Sequence, residues 1–136
     1  MSTEVTVMAE HGPLTRAVLD YTRTMERLVP SVASPADWAP LEAFVAVDQF
    51  RRVGTFMEVQ DWPEYLGMLT RWASSIDSFE TTVRRASEVP GLVYFEIEER
   101  HLRGRDSHVV NSLTVFAFND NGQVCHLDVY LQQPRR

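Results

Sequence analysis

The sequence predicts an α+β fold, with helices in the first half of the chain and an antiparallel sheet in the second half. Apolar residues recur at helical spacing in the first half and alternate with polar residues in the second. Turn signals at Pro90-Gly91, Gly104 and Asn121-Gly122 divide the second half into four long strands. Two short extended segments, Phe50–Val53 and Phe56–Val59, are predicted between the second and third helices. A curled sheet wrapped around helices leaves a conical pocket, which is a common site for small ligands.

Three helices are predicted, and each has a recognisable start. The first runs from Pro13 to just before Pro30 and is amphipathic, because its apolar residues share one face. The second begins at Ser34-Pro35-Ala36-Asp37 and the third at Asp61-Trp62-Pro63-Glu64, since both segments have a capping residue, a proline and an acidic residue. The apolar face of the first helix consists of Leu14, Val18, Tyr21, Met25 and Leu28.

Length and composition indicate one folded domain over residues 1–136, with residues 1–12 as a flexible N-terminal arm. The apolar content of 44% and the three tryptophans argue against a disordered segment. The net charge of −6 argues against nucleic acid and anionic membranes as partners, because both bind basic surfaces.

Cysteine usage and the lack of targeting segments predict a location. Cys125 is the only cysteine, so no intrachain disulfide can form and a reducing compartment is expected. The first residues, MSTEVTVMAEHGP, lack the apolar run of a signal peptide, and no apolar run elsewhere has the length of a membrane span. We therefore expect a cytoplasmic protein.

The last predicted strand, Gln123–Gln132, has one polar and one apolar face because side chains alternate along a strand. His126, Asp128 and Tyr130 share the polar face. Burying an unpaired charge is expensive, so we predict that the apolar face lines the interior and that the polar trio lies outside. A one-residue bulge in this strand would instead bring Asp128 into the pocket, and bulges are common near active sites.

The turn positions also predict which residues pair across the sheet. A two-residue turn at Asn121-Gly122 pairs Phe118 with Cys125 and Phe116 with Leu127. The same reasoning at the other two turns fixes the neighbouring strands. The further predicted pairs are Thr114 with Val129, Phe95 with Thr114, Ile97 with Ser112, His101 with His108, and Arg84 with Ile97.

Two segments carry a resemblance to a known family: the third helix, DWPEYLGMLTRWA, and the closing hairpin, FAFNDNGQVCHLDVYLQ. Together with the order of elements from Pro13 onward, they resemble the nuclear-transport-factor-2-like superfamily, nearest its SnoaL-like polyketide cyclases and ketosteroid-isomerase-like proteins. The resemblance implies a cystatin-like α+β barrel, in which a cone-shaped, curved sheet wraps around three N-terminal helices. It implies no single reaction, because the superfamily includes isomerases, cyclases, hydrolases and plain binding proteins.

The acid positions of this family hold residues of other types in the present chain. The last-strand aspartate of SnoaL-like cyclases and limonene epoxide hydrolases corresponds to Val129. The oxyanion-stabilising acid of ketosteroid isomerases falls near Thr114, and their general base falls near Arg51. Only the tyrosine of the first helix has a counterpart, Tyr21, which is also explained as a core aromatic residue.

The inner face of the predicted sheet offers a different set of polar groups. Glu99 and His101 share its parity, and His101 pairs with His108 across the hairpin. Such a cluster supplies a general base and an orienting carboxylate, because histidine titrates near neutral pH. Alternatively, the three residues lie at the hairpin tip in solvent. Further inner-face candidates are Ser112, Thr114, and Arg84 or Arg85.

The catalytic candidates are therefore Asp128, His101, Glu99 and Tyr21, for proton transfer that isomerises or cyclises a polyketide-, terpene- or steroid-like substrate. Two alternatives stay open: a non-catalytic ligand-binding or dimerisation domain, and an epoxide-hydrolase-like enzyme, which Val129 disfavours. No metal or cofactor is expected, because no motif for one is present. The predicted ligand contacts are Trp38, Tyr65, Trp72, Phe95, Thr114, Phe116, Val129 and Leu131.

Two partners are predicted. The first is a small apolar ligand or substrate in the pocket. The second is another copy of the chain, bound through the outer face of the sheet. There Leu113, Val115 and Tyr130 form an apolar centre among charged residues, as in a protein interface.

Overall fold

The computed structural model describes residues 11–135, so most of the predicted N-terminal arm lies outside the described residues. Gly12, at the end of that segment, is the N-cap residue of the first helix. The helices and strands are α1 (Pro13–Leu28), two 3₁₀ helices (Val29–Ser31 and Pro35–Phe44), β1 (Arg51–Val53), β2 (Val59–Gln60), α2 (Trp62–Ser74), β3 (Ser78–Val89), β4 (Leu92–Arg103), β5 (Asp106–Phe118) and β6 (Val124–Gln132).

The six strands form one mixed sheet in the order β2-β1-β6-β5-β4-β3. Neighbouring strands are antiparallel except β1 and β6, which run parallel. Within residues 11–135 the two edge strands, β2 and β3, do not pair with each other, so the curved sheet stays open and does not close into a barrel. The predicted α+β class, with a curved sheet around helices, is confirmed.

The helix starts follow the predicted capping patterns. Asp61 accepts a hydrogen bond from the Glu64 backbone N–H at 2.9 Å, and Glu64 accepts one from the Asp61 N–H at 3.0 Å. At the start of the longer 3₁₀ helix the Asp37 carboxylate accepts from the Ser34 N–H at 3.0 Å, and the Asp37 N–H donates to the Ser34 carbonyl oxygen at 3.0 Å. This second helix is 3₁₀ and not α, since Pro40 in its middle has no N–H to donate. None of the helices within residues 11–135 combines the length and the apolar character needed to cross a membrane.

The second short strand is displaced from its predicted position at Phe56–Val59. A turn closes there, because the Gly54 N–H donates to the Glu58 carbonyl oxygen at 2.9 Å. Strand pairing therefore resumes only at Val59–Gln60, and Phe56 and Met57 are exposed at the turn. The apolar residues of this segment favoured a strand, but at the sheet edge they have no second layer to pack against.

Two carboxylates fasten α1 to the edge strand β3. Glu26 accepts hydrogen bonds from the Thr81 N–H at 2.7 Å and from its hydroxyl at 3.0 Å. Glu88 accepts from the Thr15 N–H at 2.8 Å and from the Thr15 hydroxyl at 2.7 Å, at the start of the helix. The helix therefore lies in a fixed position over the sheet and covers an edge that would otherwise offer unpaired backbone groups.

The β4–β5 hairpin has the predicted register. Gly104, with φ of 58°, forms a two-residue turn with Arg105, a conformation that favours glycine. His101 consequently faces His108 across the hairpin. The pairs Phe95 with Thr114 and Ile97 with Ser112 are confirmed as well.

The β3–β4 pairing differs from the prediction by one residue. Arg84 is an extra residue in β3, so Val83 and not Arg84 faces Ile97. Arg84 and Arg85 both contact Glu96 on the outer face, at 3.8 and 2.5 Å. Neither arginine joins the inner-face polar groups, because each is drawn to this carboxylate.

Candidate functional site

A cavity of about 650 Å³ lies between the inner face of the sheet and the helices α1 and α2. Its lining is exposed near the β4–β5 hairpin and buried around Phe95 and Phe116, so the hairpin marks the mouth and the two phenylalanines the narrow end. Seven of the predicted ligand contacts line this cavity: Tyr65, Trp72, Phe95, Thr114, Phe116, Val129 and Leu131.

Trp38, the eighth predicted ligand contact, does not line the cavity. It is fully buried in the core, and its indole N–H donates to the Thr70 hydroxyl at 3.1 Å. An apolar helix face indicates burial but does not distinguish a solid core from a cavity wall. The prediction for Trp38 was therefore wrong.

Three side chains form a hydrogen-bonded cluster near the mouth. The Trp72 indole N–H donates to Nδ1 of His101 at 3.0 Å, so this nitrogen carries the lone pair. The proton of the neutral ring then lies on Nε2, which donates to Oε1 of Glu99 at 3.0 Å. The His101 and Glu99 side chains are only 15% and 17% exposed. This bonding leaves His101 without a free lone pair.

His108 faces His101 as predicted, but the two rings are 6.0 Å apart and do not share a hydrogen bond. All three residues line the cavity, but His108 is exposed at the hairpin, whereas His101 and Glu99 are partly buried. His108 therefore lies at the solvent-exposed rim of the cavity, and Glu99 and His101 lie further inside.

Two tyrosine hydroxyls meet at the narrow end. Tyr21 in α1 and Tyr65 in α2 are buried, and their hydroxyl oxygens are 3.2 Å apart. The Tyr21 ring also packs edge-on against Phe116. Burial raises the pKa of Tyr65 and raises that of Tyr21 well above its ordinary value, with Tyr65 adding to the Tyr21 shift. Both hydroxyls therefore stay protonated; one donates to the other, and the second keeps its O–H for a ligand.

Arg52 is a cavity residue that the sequence reasoning missed. It pairs with Leu127 in the parallel β1–β6 ladder and points inward beside it, in the same row as Phe116 and Val93. The residue is 9% exposed, and its guanidinium carbon lies 5.4 Å from the centre of the Tyr65 ring. The alternation of a strand could have revealed it, because Arg52 shares parity with Phe50, which is fully buried.

Arg51 lies on the opposite side of β1 from Arg52. It pairs with His126 and is exposed on the outer face. The resemblance placed a catalytic base of the isomerases near this position, but the side chain here neither has the right charge nor faces the cavity.

Asp128 lies on the outer face, where its Oδ1 accepts a hydrogen bond from Nε2 of His126 at 2.9 Å. The closing turn has three residues and not two, because the Gly122 N–H bonds the Asn119 carbonyl and Asn119 pairs with Gln123. Phe118 consequently faces Val124, not Cys125.

A bulge at Cys125 then restores the predicted register. Beyond it Phe116 faces Leu127 and Thr114 faces Val129, as predicted. The bulge therefore has the opposite effect to the one considered from the sequence. It keeps Asp128 out of the cavity and does not bring it in.

Ser112 and Thr114 line the cavity as their parity predicted. Ser112 is 3% exposed, and its hydroxyl has no hydrogen-bond partner among residues 11–135. A buried polar atom of this kind calls for an explanation, and an atom of a bound ligand would supply its partner. No group of three or more metal-ligating side chains is found in the described part of the chain.

This chain is similar to known proteins only in structure. No family model matches the sequence. No curated protein is significantly similar to it either. A candidate SnoaL-like polyketide cyclase from Shewanella putrefaciens has a similar structure, with a TM-score of 0.71, 10% identity, and coverage of 96% of this chain and 89% of that chain.

Two further solved structures extend this similarity. An NTF2-like protein from Anabaena variabilis has a TM-score of 0.71 and 11% identity, covering 91% of this chain and 94% of that one. An LEH-like epoxide hydrolase from M. tuberculosis has a TM-score of 0.60 and 16% identity, covering 88% of this chain and 82% of that one. The chain has the fold that these NTF2-like and SnoaL-like structures share. At these identities the similarity establishes the fold and not a reaction.

Proposed function

We propose that this protein binds a small, mostly apolar molecule in the cavity and acts on it by proton transfer. The cavity itself carries this proposal. Its volume of about 650 Å³ falls within the range of small-ligand sites, which is about 300–1,000 Å³. Its walls are mainly apolar, with polar groups gathered at the mouth and at the narrow end. A polyketide-, terpene- or steroid-like skeleton has the size and character for such a space.

Glu99 takes the role of general base in this proposal. His101 cannot accept a proton without losing its bond from Trp72, so it serves to orient the Glu99 carboxylate. The second carboxylate oxygen of Glu99 is then the acceptor for a substrate proton. These roles reverse the sequence-based assignment, in which His101 was the base and Glu99 the orienting group.

The tyrosine pair holds the other end of the ligand. Tyr21 and Tyr65 remain protonated and offer a hydrogen bond to a ligand oxygen in a largely apolar surrounding. Fixing one end of the molecule places the opposite end near Glu99, and such positioning contributes to the rate. An isomerase or cyclase is therefore favoured, in line with the candidate polyketide cyclase among the structural neighbours.

Turnover of nitrobenzisoxazole tests this proposal without knowledge of the substrate. A base removes the ring C–H proton of this probe while its N–O bond breaks, so a carboxylate in an apolar cavity accelerates the reaction. Val129→Trp fills the cavity and should lower turnover at least about tenfold. Tyr130→Trp places the same side chain on the outer face and is the control. Equal rates in both variants and in the wild type would show that the reaction does not occur in the cavity.

A non-catalytic binding domain is the second candidate. It is favoured by the three family acid positions, which hold Val129, Thr114 and Arg51. A wild-type protein that binds an apolar fluorophore in the cavity but does not accelerate the probe reaction would support it. The epoxide-hydrolase alternative is weaker, because Val129 lines the cavity at the acid position and has no ionisable group.

We further propose a homodimer through the outer face of the sheet. Tyr130 is 58% and Tyr94 42% exposed there, beside the less exposed Leu113 and Val115. Light scattering at micromolar concentration should give twice the chain mass of 15.6 kDa. Tyr130→Glu should reduce the mass to that of one chain, and a wild-type monomer would contradict the proposal.

A further inference from the structure

We propose that the ligand is an apolar carboxylic acid whose carboxylate binds Arg52 at the narrow end of the cavity. The inference rests on the proposed ligand-binding function and names the chemical class of the ligand. Its basis is a buried guanidinium that lines the cavity and has no close counter-ion among residues 11–135.

The charge of Arg52 is poorly compensated by the protein. The nearest carboxylate oxygen, Oε2 of Glu58, lies 3.9 Å from Nη1, and the Glu58 side chain is 45% exposed. Ion pairs with an exposed partner contribute little, because solvent screens them. Burying a guanidinium nevertheless carries a desolvation penalty, which a close anion would offset. A ligand carboxylate would be such an anion.

The hydrogen-bonding groups of Arg52 are also only partly used. Within residues 11–135 its one side-chain hydrogen bond runs from Nη1 to Oε1 of Gln60, at 2.9 Å. A guanidinium carries five N–H groups in a planar fork, which matches the two oxygens of a carboxylate. Nε and Nη2 have no acceptor among the described residues and are therefore free for this ligand.

Tyr21 and Tyr65 complete the anion site. The positive charge of Arg52 partly opposes the rise in pKa of both hydroxyls, so these groups lie within its electrostatic influence. Because one of the two hydroxyls donates to the other, one O–H remains to donate to an anion, and neither hydroxyl has a negative charge to repel it. The three side chains thus converge from β1, α1 and α2 on one end of the cavity.

Glu99 lies further towards the mouth than Arg52, although its negative charge still reaches the Tyr65 hydroxyl and contributes to the raised pKa of Tyr65. Arg52 belongs to the row that includes Val93 of β4, and Glu99 lies six residues further along that strand. At 3.3 Å per residue this corresponds to roughly 20 Å of backbone along the curved strand. The ligand therefore has its carboxylate inside, its apolar body along the cone, and its reactive end near the mouth.

Displacement of N-phenylnaphthylamine, a neutral apolar fluorophore, measures this preference. Decanoate and decanol have the same chain and differ in the head group. In the wild type, decanoate should displace the fluorophore at a concentration at least about tenfold lower than decanol, as expected for a charged hydrogen bond. Arg52→Gln should reduce this ratio to near one. Arg51→Gln removes the same charge from the outer face and should keep the wild-type ratio.

Each outcome of this experiment either supports or overturns the inference. A wild-type ratio near one, or a ratio that Arg52→Gln leaves unchanged, overturns the carboxylate site while fluorophore binding still supports the cavity. Failure of the fluorophore to bind the wild type contradicts both the cavity function and this inference. If thermal melting shows that Arg52→Gln does not fold, Glu58→Gln decides. Loss of this distant counter-ion should raise the ratio about two- to threefold, and an unchanged or lower ratio overturns the inference.

Discussion

Two histidine–carboxylate pairs of the same spacing lie on opposite faces of this sheet. Glu99 and His101 are two residues apart on β4 and 3.0 Å apart in space, whereas His126 and Asp128 are two residues apart on β6 and 2.9 Å apart. The first pair is enclosed in the cavity wall, with side chains 17% and 15% exposed. The second pair has side chains 39% and 38% exposed. The hydrogen bond is the same, and the surroundings differ.

The difference shows that the residue pair alone does not make a site. The inner pair has a third member, Trp72, which fixes the tautomer of His101 and closes one side of the pair. It also faces a cavity from which water can be displaced by a ligand, so its charges act in a less polar medium. The outer pair has neither the third partner nor the enclosure. Comparing matched substitutions in the two pairs tests this view.

The largest expected difference is in catalysis. Glu99→Gln should lower turnover of nitrobenzisoxazole about 100-fold, within the 10²–10⁴ range of a general base. Asp128→Asn is the matched change on the outer face and should leave the rate as in the wild type. An effect of Asp128→Asn equal to that of Glu99→Gln would remove the proposed distinction between the faces.

A smaller difference is expected in stability. His101→Leu leaves the Trp72 N–H without its acceptor, and an unsatisfied buried donor costs about 1–3 kcal/mol. His126→Leu breaks a half-exposed pair, which contributes about 0–1 kcal/mol. Urea unfolding of the two variants measures both values. If His126→Leu is the more destabilising variant, the outer pair is buried in solution, and the dimer proposed above would be the reason.

The smallest effect concerns alkaline pH and the buried tyrosines. Because the pKa of Tyr21 is raised in the folded protein, the unfolded chain loses its proton first as pH increases. The stabilising contribution is complete below the ordinary tyrosine pKa of about 10 and is lost above it, by at most about 1.4 kcal/mol per pH unit. Tyr21→Phe should therefore flatten the fall in melting temperature above about pH 10. Tyr130→Phe removes an exposed hydroxyl of the outer face and should keep the wild-type profile.

The sequence predicted those parts of the sheet that depend on local turn chemistry. The Gly104 turn determined the β4–β5 register and with it the position of His101 opposite His108. The pairing of Phe116 with Leu127 was also predicted, but through two errors that cancel. The turn is one residue longer than assumed, and the bulge at Cys125 takes up the difference.

The candidate site was harder to predict because it depends on contacts between distant segments. The bond from Trp72 to His101 joins α2 to β4, and no local pattern encodes it. Arg52 was missed because a three-residue strand shows too little alternation to fix its faces. Trp38 was misplaced because helical periodicity reports burial alone.

The bulge at Cys125 determines which face of β6 lines the cavity. With the same three-residue turn and a regular β6, His126 would face Phe116 and Asp128 would face Thr114, both on the cavity side. Leu127, Val129 and Leu131 would then be turned to solvent, at roughly 1.5–3 kcal/mol for each. That total is comparable to the whole stability of a small domain, so the slipped arrangement is a competing folded state that the aliphatic residues suppress. The bulge thus decides whether Asp128 joins Glu99 in the cavity, at constant amino-acid composition.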